Sequence, residues 1–446
     1  MRSRYLFRTS GIVVGKCTLC ALVVLLCAAL TQTAQGQFTF QRIVDLPVDE
    51  LTSPVLSNGQ IAWNELRGND IIRFWDGNTT TTVLSSSSVI PGSTEQFSSV
   101  YIPHLSNGTI TFRGQGGNPQ QRGIYQFDGN TISTVADLTT AVPGSSTTLQ
   151  SFRRHAVDGN DVAFIATDQA GTTGVYKISE GTLSLLADTN TQRPGGTDLF
   201  NGFSGLAIDN GAVVFTDGNP NNTTQVGISS HSDGVLRSLV TADTIISDSG
   251  EAFGDPRFLL GLDNGTAVVN QEGGRGLFSI PVAGGALETI ASQTSLVPGE
   301  NGRMFSSLSG AAIDGDAVVF IGRLPEGIYA RINGELVTII QRGDLLDGQI
   351  AQGFNLSPDG IEGDQVAFTV RAGPGIFDIT RNSIYLLDLN LQSLLGDCNK
   401  DGVVNFLDIN PFINFLFFGY ETQADINEDG IVDFFDIAPF ITLLSS

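Results

Sequence analysis

Two stretches of the chain place oxygen-bearing side chains at alternate positions: "DCNKDGVVNFLD", Asp397 to Asp408, and "DINEDGIVDFFD", Asp425 to Asp436. A calcium ion takes six to eight oxygen ligands, and a 12-residue loop can wrap it with positions 1, 3, 5, 7, 9 and 12. In the first copy those positions are Asp397, Asn399, Asp401, Val403, Asn405 and Asp408. In the second they are Asp425, Asn427, Asp429, Ile431, Asp433 and Asp436. Position 7 offers only its backbone carbonyl, so Val403 and Ile431 fit. Gly402 and Gly430 hold position 6, where such a loop turns sharply. The last ligand is Asp in place of the more usual Glu. Asp, Asn and Gly also build ordinary turns, but two copies in matching register point to cation binding. The spacing therefore predicts two bound Ca2+ ions, one per loop.

Short helices must follow these loops. "INPFINFLFFG" and "IAPFITLLSS" are apolar, and Pro411 and Pro439 fall where a first helical turn tolerates proline. Residues 395–446 as a whole resemble the dockerin type I repeat pair, an EF-hand-like module in which Asp at position 12 and a single following helix are the rule. The resemblance implies calcium-dependent docking to a cohesin-type receptor. In cellulosomal members, positions 10 and 11 often carry small hydroxyl residues that contact the receptor. Here they are Phe406–Leu407 and Phe434–Phe435. With two short helices there is little else to bury, so these residues read first as core and second as interface.

The first 36 residues read as a signal peptide. Arg2, Arg4, Arg8 and Lys16 precede the apolar run "CALVVLLCAAL", and "TAQGQ" offers small residues for cleavage. Removing those four basic residues leaves 19 Lys+Arg against 46 Asp+Glu, a net charge of −27. That balance argues against nucleic acid and anionic membranes as partners. Three of the four cysteines lie in the leader, so Cys398 has no internal disulfide partner. The expected location is secreted or at the cell surface.

Between leader and tail runs a repeat. "VLSNGQIAW" (55–63), "HLSNGTITF" (104–112), "AVDGNDVAF" (156–164), "AIDNGAVVF" (207–215), "GLDNGTAVV" (261–269), "AIDGDAVVF" (312–320) and "GIEGDQVAF" (360–368) share one pattern. Each is a strand, a tight turn and another strand. Asn-Gly at Asn58, Asn107, Asn210 and Asn264 suits two-residue hairpins. In the other three copies the turn reads as Asp158-Gly159, Asp314-Gly315 and Glu362-Gly363. "GIY"-like phrases, Pro-Gly turns and a following Phe keep the same period. Four short strands per repeat is the size of a propeller blade. The prediction is an all-β, seven-bladed β-propeller over 37–394, with six or eight blades left open, followed by a small α-helical calcium-binding domain over 395–446. "FTFQRIVDL" (38–46) could join the first or the last blade. The recurring aromatics are expected to pack between blades. This part is similar to the repeat propellers of exported bacterial proteins.

Catalytic signals are weak. His104, His155 and His231 show no metal-ligand spacing, and surface or strand-end roles are expected for them. Asp168, Asp217, Asp243, Asp248, Glu272 and Asp344 could supply paired carboxylates, although turn formation or solubility explains most of them. Arg153, Arg154, Arg257, Arg303 and Arg371 could line a central channel and bind acidic sugars. The expected function is an exported, non-catalytic binding or display protein with a calcium-dependent docking tail. The alternative is a polysaccharide-active enzyme, a hydrolase or lyase on a propeller scaffold. A carbohydrate ligand is compatible with either.

Overall fold

The computed structural model describes residues 38–46, 52–65, 71–218, 226–256, 258–375, 378–389, 396, 398, 404, 406–418, 423–427 and 429–444. The leader lies outside the described residues. Two compact units emerge, one of Thr39–Asn390 and one that contains Leu391–Ser446.

The larger unit is a seven-bladed β-propeller. Six antiparallel sheets have four strands each, laid down in chain order from the innermost outward. Their innermost strands are Val55–Ser57, Phe97–Ser106, Leu149–Asp158, Phe203–Asp209, Phe258–Asp263 and Ser307–Asp314. The seventh blade uses Gln349–Glu362, Gln365–Gly373 and Arg381–Asp388. Its outermost strand, Thr39–Leu46, comes from the other end of the propeller chain and pairs from Thr39↔Asp388 to Leu46↔Asn382. "FTFQRIVDL" thus belongs to the last blade and fastens the ring.

The hairpins follow from their turn residues. Asn58-Gly59, Asn107-Gly108, Asn210-Gly211 and Asn264-Gly265 all have positive φ at both positions, the type I′ pattern whose twist matches the flanking strands. The Asp-Gly and Glu-Gly copies need a correction. Asp158 pairs with Asp161, so the two turn residues are Gly159-Asn160, with φ +55 at Gly159. Gly315 and Gly363 likewise take the first turn place, at +54 and +57. A leading glycine is the II′ solution, and the register therefore stays the same in all seven blades. Pro-Gly forms a second recurring turn. Pro91, Pro143, Pro194 and Pro298 each precede a glycine with φ of +71 to +77, and the chain closes by amide bonds such as Ser93 N–H to Ile90 O at 3.1 Å. Pro first and left-handed Gly second is a type II turn.

Blades cannot bury both faces alone, and the core lies between them. One cluster joins Ala62, Ile72 and Leu84 of the first blade to Phe97, Phe112 and Tyr125 of the second. Another joins Val268, Leu277 and Ile290 of the fifth to Phe305, Phe320 and Tyr329 of the sixth. The Phe after each Pro-Gly turn is the wedge: Phe305 meets Tyr329 edge-on, with ring centroids 4.8 Å apart. The glycine of "GIY" has a steric reason. A Cβ on Gly123 would lie 2.4 Å from the Ala136 carbonyl oxygen of the next strand.

In six blades the residue before the hairpin turn clasps the neighbouring blade. Gly159 N–H donates to Ser106 Oγ at 3.0 Å, Asn210 N–H to Asp158 Oδ2 at 2.7 Å, Gly265 N–H to Asp209 Oδ2 at 3.4 Å and Gly315 N–H to Asp263 Oδ2 at 2.7 Å. Gly363 N–H donates to Asp314, and Asn58 N–H to Glu362. Asn58 Nδ2 completes the circle to Asn107 Oδ1 at 3.2 Å. Burial is the largest influence on Asp209 and Asp314 and pushes both carboxyls up. The amide bonds oppose it, and the Asp263 carboxylate adds to it. Carboxyls raised in the folded state stabilise it when protonated. Their contribution is complete below an unfolded value of about 3.9 and is lost as pH climbs through the raised folded value. Asp314→Asn keeps an acceptor for Gly363 and removes the charge. Thermal scans should show this variant more stable than the native protein at pH 7 and without that lead at pH 3. Half-burial limits the gain to less than about 1 kcal/mol. A variant less stable than native at pH 7 contradicts the sign.

The tail carries helices Ile409–Phe418 and Ile437–Leu444, with Pro411 and Pro439 in their first turns. Its core is Cys398, Phe412, Ala424 and Phe440. Phe412 and Phe440 stack with centroids 4.1 Å apart. Cys398 is buried there, with its Sγ 3.9 Å from the Gln423 carbonyl oxygen.

Candidate functional site

In the first calcium loop, Asp397, Asn399, Asp401, Val403 and Asn405 lie outside the described residues, and Asp408 is fully buried. The second loop is described at every ligand position. Gly430 has φ +87 and makes the sharp turn. Asp425 and Asp436 are 4% and 0% exposed. The loop folds around these two carboxylates. Asp429 and Gly430 N–H donate to Asp425 at 3.1 and 2.8 Å, and Asn427 and Asp433 N–H donate to Asp436 at 3.0 and 2.8 Å. Every side-chain donor at the predicted positions is a hard oxygen, which suits calcium or magnesium and not a soft metal. Among the described residues no three His, Cys, Asp or Glu side chains already form a ready cage. The loop carboxylates face its own amides instead.

The phenylalanines beside the predicted ligands are not core. Phe406 is 76% exposed, Phe434 69% and Phe435 75%. The reason is the core just described: the rings of Phe412 and Phe440 fill it, so Phe406, Phe434 and Phe435 turn outward. Phe417 joins them, 60% exposed, with its ring 6.2 Å from that of Phe434.

The propeller has its own candidate site. The innermost strands enclose a cavity of 990 Å³ on the ring axis, reached by residues of six blades. Such a volume lies within the range of small-ligand pockets. His104, Asp359, His155 and Arg154 are on its wall. His104 Nδ1 is 2.5 Å from Asp359 Oδ2, and the two lie 255 residues apart in sequence. Burial alone would raise the Asp359 carboxyl, but the charge and hydrogen bond of His104 outweigh it and hold the group low. The His155 ring meets His104 edge-on at 4.6 Å. Its Nε2 faces the Thr111 carbonyl at 3.3 Å. Burial first, then the neighbouring His104, holds His155 well below the usual imidazole range, so this ring is neutral.

Local strain aims His104. The ladder slips between Tyr101 and His104, and Ile102 in that bulge has φ +56. A β-branched residue there costs about 1–3 kcal/mol, and the slip itself recurs in the innermost strands of the third to seventh blades.

The sequence placed His104 and His155 at strand ends. Both instead lie in innermost strands of adjacent blades, where the seven-fold arrangement brings them together. His155 falls one place earlier in its repeat than His104. The signal was present, since both belong to the strand that must line the axis, but Asp359 gave none. His231 lies on a third strand and is absent from the cavity wall.

Most candidate acids have structural work. Asp168 accepts from Thr147 Oγ1 at 3.0 Å and Thr172 N–H at 2.8 Å. Asp217 is 3% exposed, pairs with Arg193 at 3.0 Å and accepts from Ser229 Oγ at 2.5 Å. Asp243, Asp248 and Glu272 are exposed, and Asp344 caps the Gln341 amide at 2.7 Å. Among the described lining residues Asp359 is the only carboxylate. Arg154 is the only one of the five candidate arginines on that wall, and Arg257 lies outside the described residues.

Fold and tail together define a seven-bladed β-propeller joined to a dockerin type I domain. The chain belongs to a family of unknown function, DUF7453, whose family model matches residues 26–274. The dockerin type I model matches residues 395–445. Dockerin type I domains bind calcium and dock to cohesins, and proteins that carry them are typically extracellular or at the cell surface. No curated protein matches the chain. Among solved structures, the β-propeller domain of the Trilobed protease from Pyrococcus furiosus is 10% identical, with a TM-score of 0.44, covering 74% of this chain and 99% of that one. An oligogalacturonate lyase from Vibrio parahaemolyticus is 12% identical, with a TM-score of 0.43, covering 80% and 98%. Nothing about chemistry follows from likenesses at this level. No helix among the described residues is long and apolar enough to cross a membrane.

Proposed function

We propose that the protein is an exported binding protein. Residues 1–36 direct export, the propeller over 37–394 holds a ligand, and residues 395–446 dock the whole to a cohesin-like receptor. Two calcium ions order the tail, one held by Asp397, Asn399, Asp401, Val403, Asn405 and Asp408, the other by Asp425, Asn427, Asp429, Ile431, Asp433 and Asp436. The exposure of Phe406, Phe434 and Phe435 carries the reading. Three large rings left in water beside the calcium ligands are a liability for a free domain and suit a buried protein interface. The receptor face they fit is apolar, in contrast to the one that meets the hydroxyl residues of cellulosomal dockerins.

Phe434→Ser with Phe435→Ser tests this on the full chain. Truncating central aromatics removes roughly 2 kcal/mol each. Affinity for immobilised cohesin domains, measured by surface plasmon resonance in calcium, should fall at least a hundredfold, while calcium uptake and melting stay unchanged. Unaltered affinity for a cohesin that the native chain binds rejects the apolar face.

The enzyme alternative has one observation in its favour, an imidazole oriented by a carboxylate at 2.5 Å. A two-carboxylate glycosidase needs a second acid about 5–10 Å from the first, and Asp359 stands alone among the described lining residues.

A further inference from the structure

We propose that the axial cavity binds a small hydroxy acid, with the ligand carboxylate on Arg154 and its hydroxyl on His104. This rests on the reading that the propeller is the ligand-holding half of the protein.

Three features of the wall define the ligand. Most of the lining is apolar, including Val157, Leu206, Ile208, Leu260 and Phe258, which is 52% exposed. An apolar body is therefore required. Arg154 is exposed on the same wall and has no ion-pair partner among the described residues. A guanidinium of that kind matches a carboxylate by two parallel N–H bonds. The third feature is His104. Asp359 occupies its Nδ1, so Nε2 is the nitrogen left for a ligand. A hydroxyl can donate to that nitrogen or accept from it, so the match does not depend on its proton. His155 backs the ring at 4.6 Å and is neutral, and Asp359 neutralises any charge on His104. Arg154 thus remains the net positive group, and the two ends of the ligand are told apart.

The ladder slip beside Ile102 recurs in the innermost strands of the third to seventh blades, and in the second blade it sets where the His104 ring enters the cavity.

The test uses the calcium-loaded full chain and titration calorimetry. The probes are 4-hydroxybenzoate and 4-hydroxycinnamate, which differ in the span between carboxylate and hydroxyl. Benzoate and cinnamate lack the hydroxyl, and 4-hydroxybenzyl alcohol lacks the carboxylate. At least one hydroxy acid should bind about tenfold more tightly than its deoxy partner and at least tenfold more tightly than the alcohol. Arg154→Gln should remove the preference over the alcohol and keep the preference over the deoxy acid. His104→Phe should do the reverse. Failure of both hydroxy acids to bind below millimolar concentration overturns the assignment. So does either substitution leaving both preferences intact, or Zn2+ uptake that His104→Phe abolishes, since the imidazoles would then serve an ion. Docking of the tail to cohesin, measured on the same samples, reports the earlier reading separately.

Discussion

Removal of Thr39–Leu46 should open the propeller and cost it most of its stability. This strand fastens the last blade to the N-terminal end of the chain, pairing with Arg381–Asp388 through a bulge between Arg42 and Val44. It adds Leu46 to a cluster with Trp63, Trp75, Ile384 and Leu386. Ser383 Oγ donates to Asp45 Oδ1 at 2.6 Å, and Phe40 packs edge-on against Phe368 at 6.2 Å. Each ladder bond contributes about 1 kcal/mol net, and burial of Leu46 adds about 2 kcal/mol. Their loss is comparable to the whole 5–15 kcal/mol of a typical domain. The strand Arg381–Asp388 would also become a bare edge, open to pairing with other chains. The expected result is a large drop in the thermal midpoint with aggregation, partly reversed by a peptide of residues 38–46 supplied in trans. An unchanged midpoint would show that the ring closes without this strand.

Asp217→Ala should cost roughly 3–5 kcal/mol, read from denaturant unfolding. Asp217 and Arg193 are both largely buried, with side chains 4% and 18% exposed and N and O atoms 3.0 Å apart. Arg193 opens the Arg193-Pro194-Gly195-Gly196 turn, and its guanidinium lies 5.5 Å from the Phe200 ring centroid. Burial pushes the Asp217 carboxyl up, the Ser229 hydroxyl and Arg193 pull it back, and the balance stays raised. The alanine variant takes this carboxylate, 3.0 Å away, from a guanidinium in a low-dielectric pocket. Asp217→Asn retains the bond from Ser229 and should fall between native and alanine. Equal stability of all three proteins would mean that water reaches the pair.

What was legible in the sequence is what local chemistry dictates. Asn58-Gly59 or Pro91-Gly92 needs only its own φ preferences to become a turn, and a recurring turn counts blades. The dockerin tail is legible for the same reason, because each of its two loops is a pattern confined to twelve residues. What escaped depends on closure. Nothing near Thr39 announces Asp388 as its partner, and nothing near His104 announces Asp359. The clasp between hairpins was invisible while Gly159 was read one place late, since only a common register lines up Ser106, Asp158, Asp209 and Asp263 against the next turn. Phe435 was misjudged by a volume argument. Phe412 and Phe440, at helical positions, satisfy the small core without it.

The central claim is that calcium organises a docking tail independently of the propeller. Calorimetric titration of Ca2+ into calcium-free full-length protein, followed by thermal scans with and without chelator, tests it most directly. Uptake of two ions, together with a transition that chelator abolishes while a second, larger transition stays in place, is the predicted result. No calcium uptake, or a thermal trace indifferent to chelator, would contradict it.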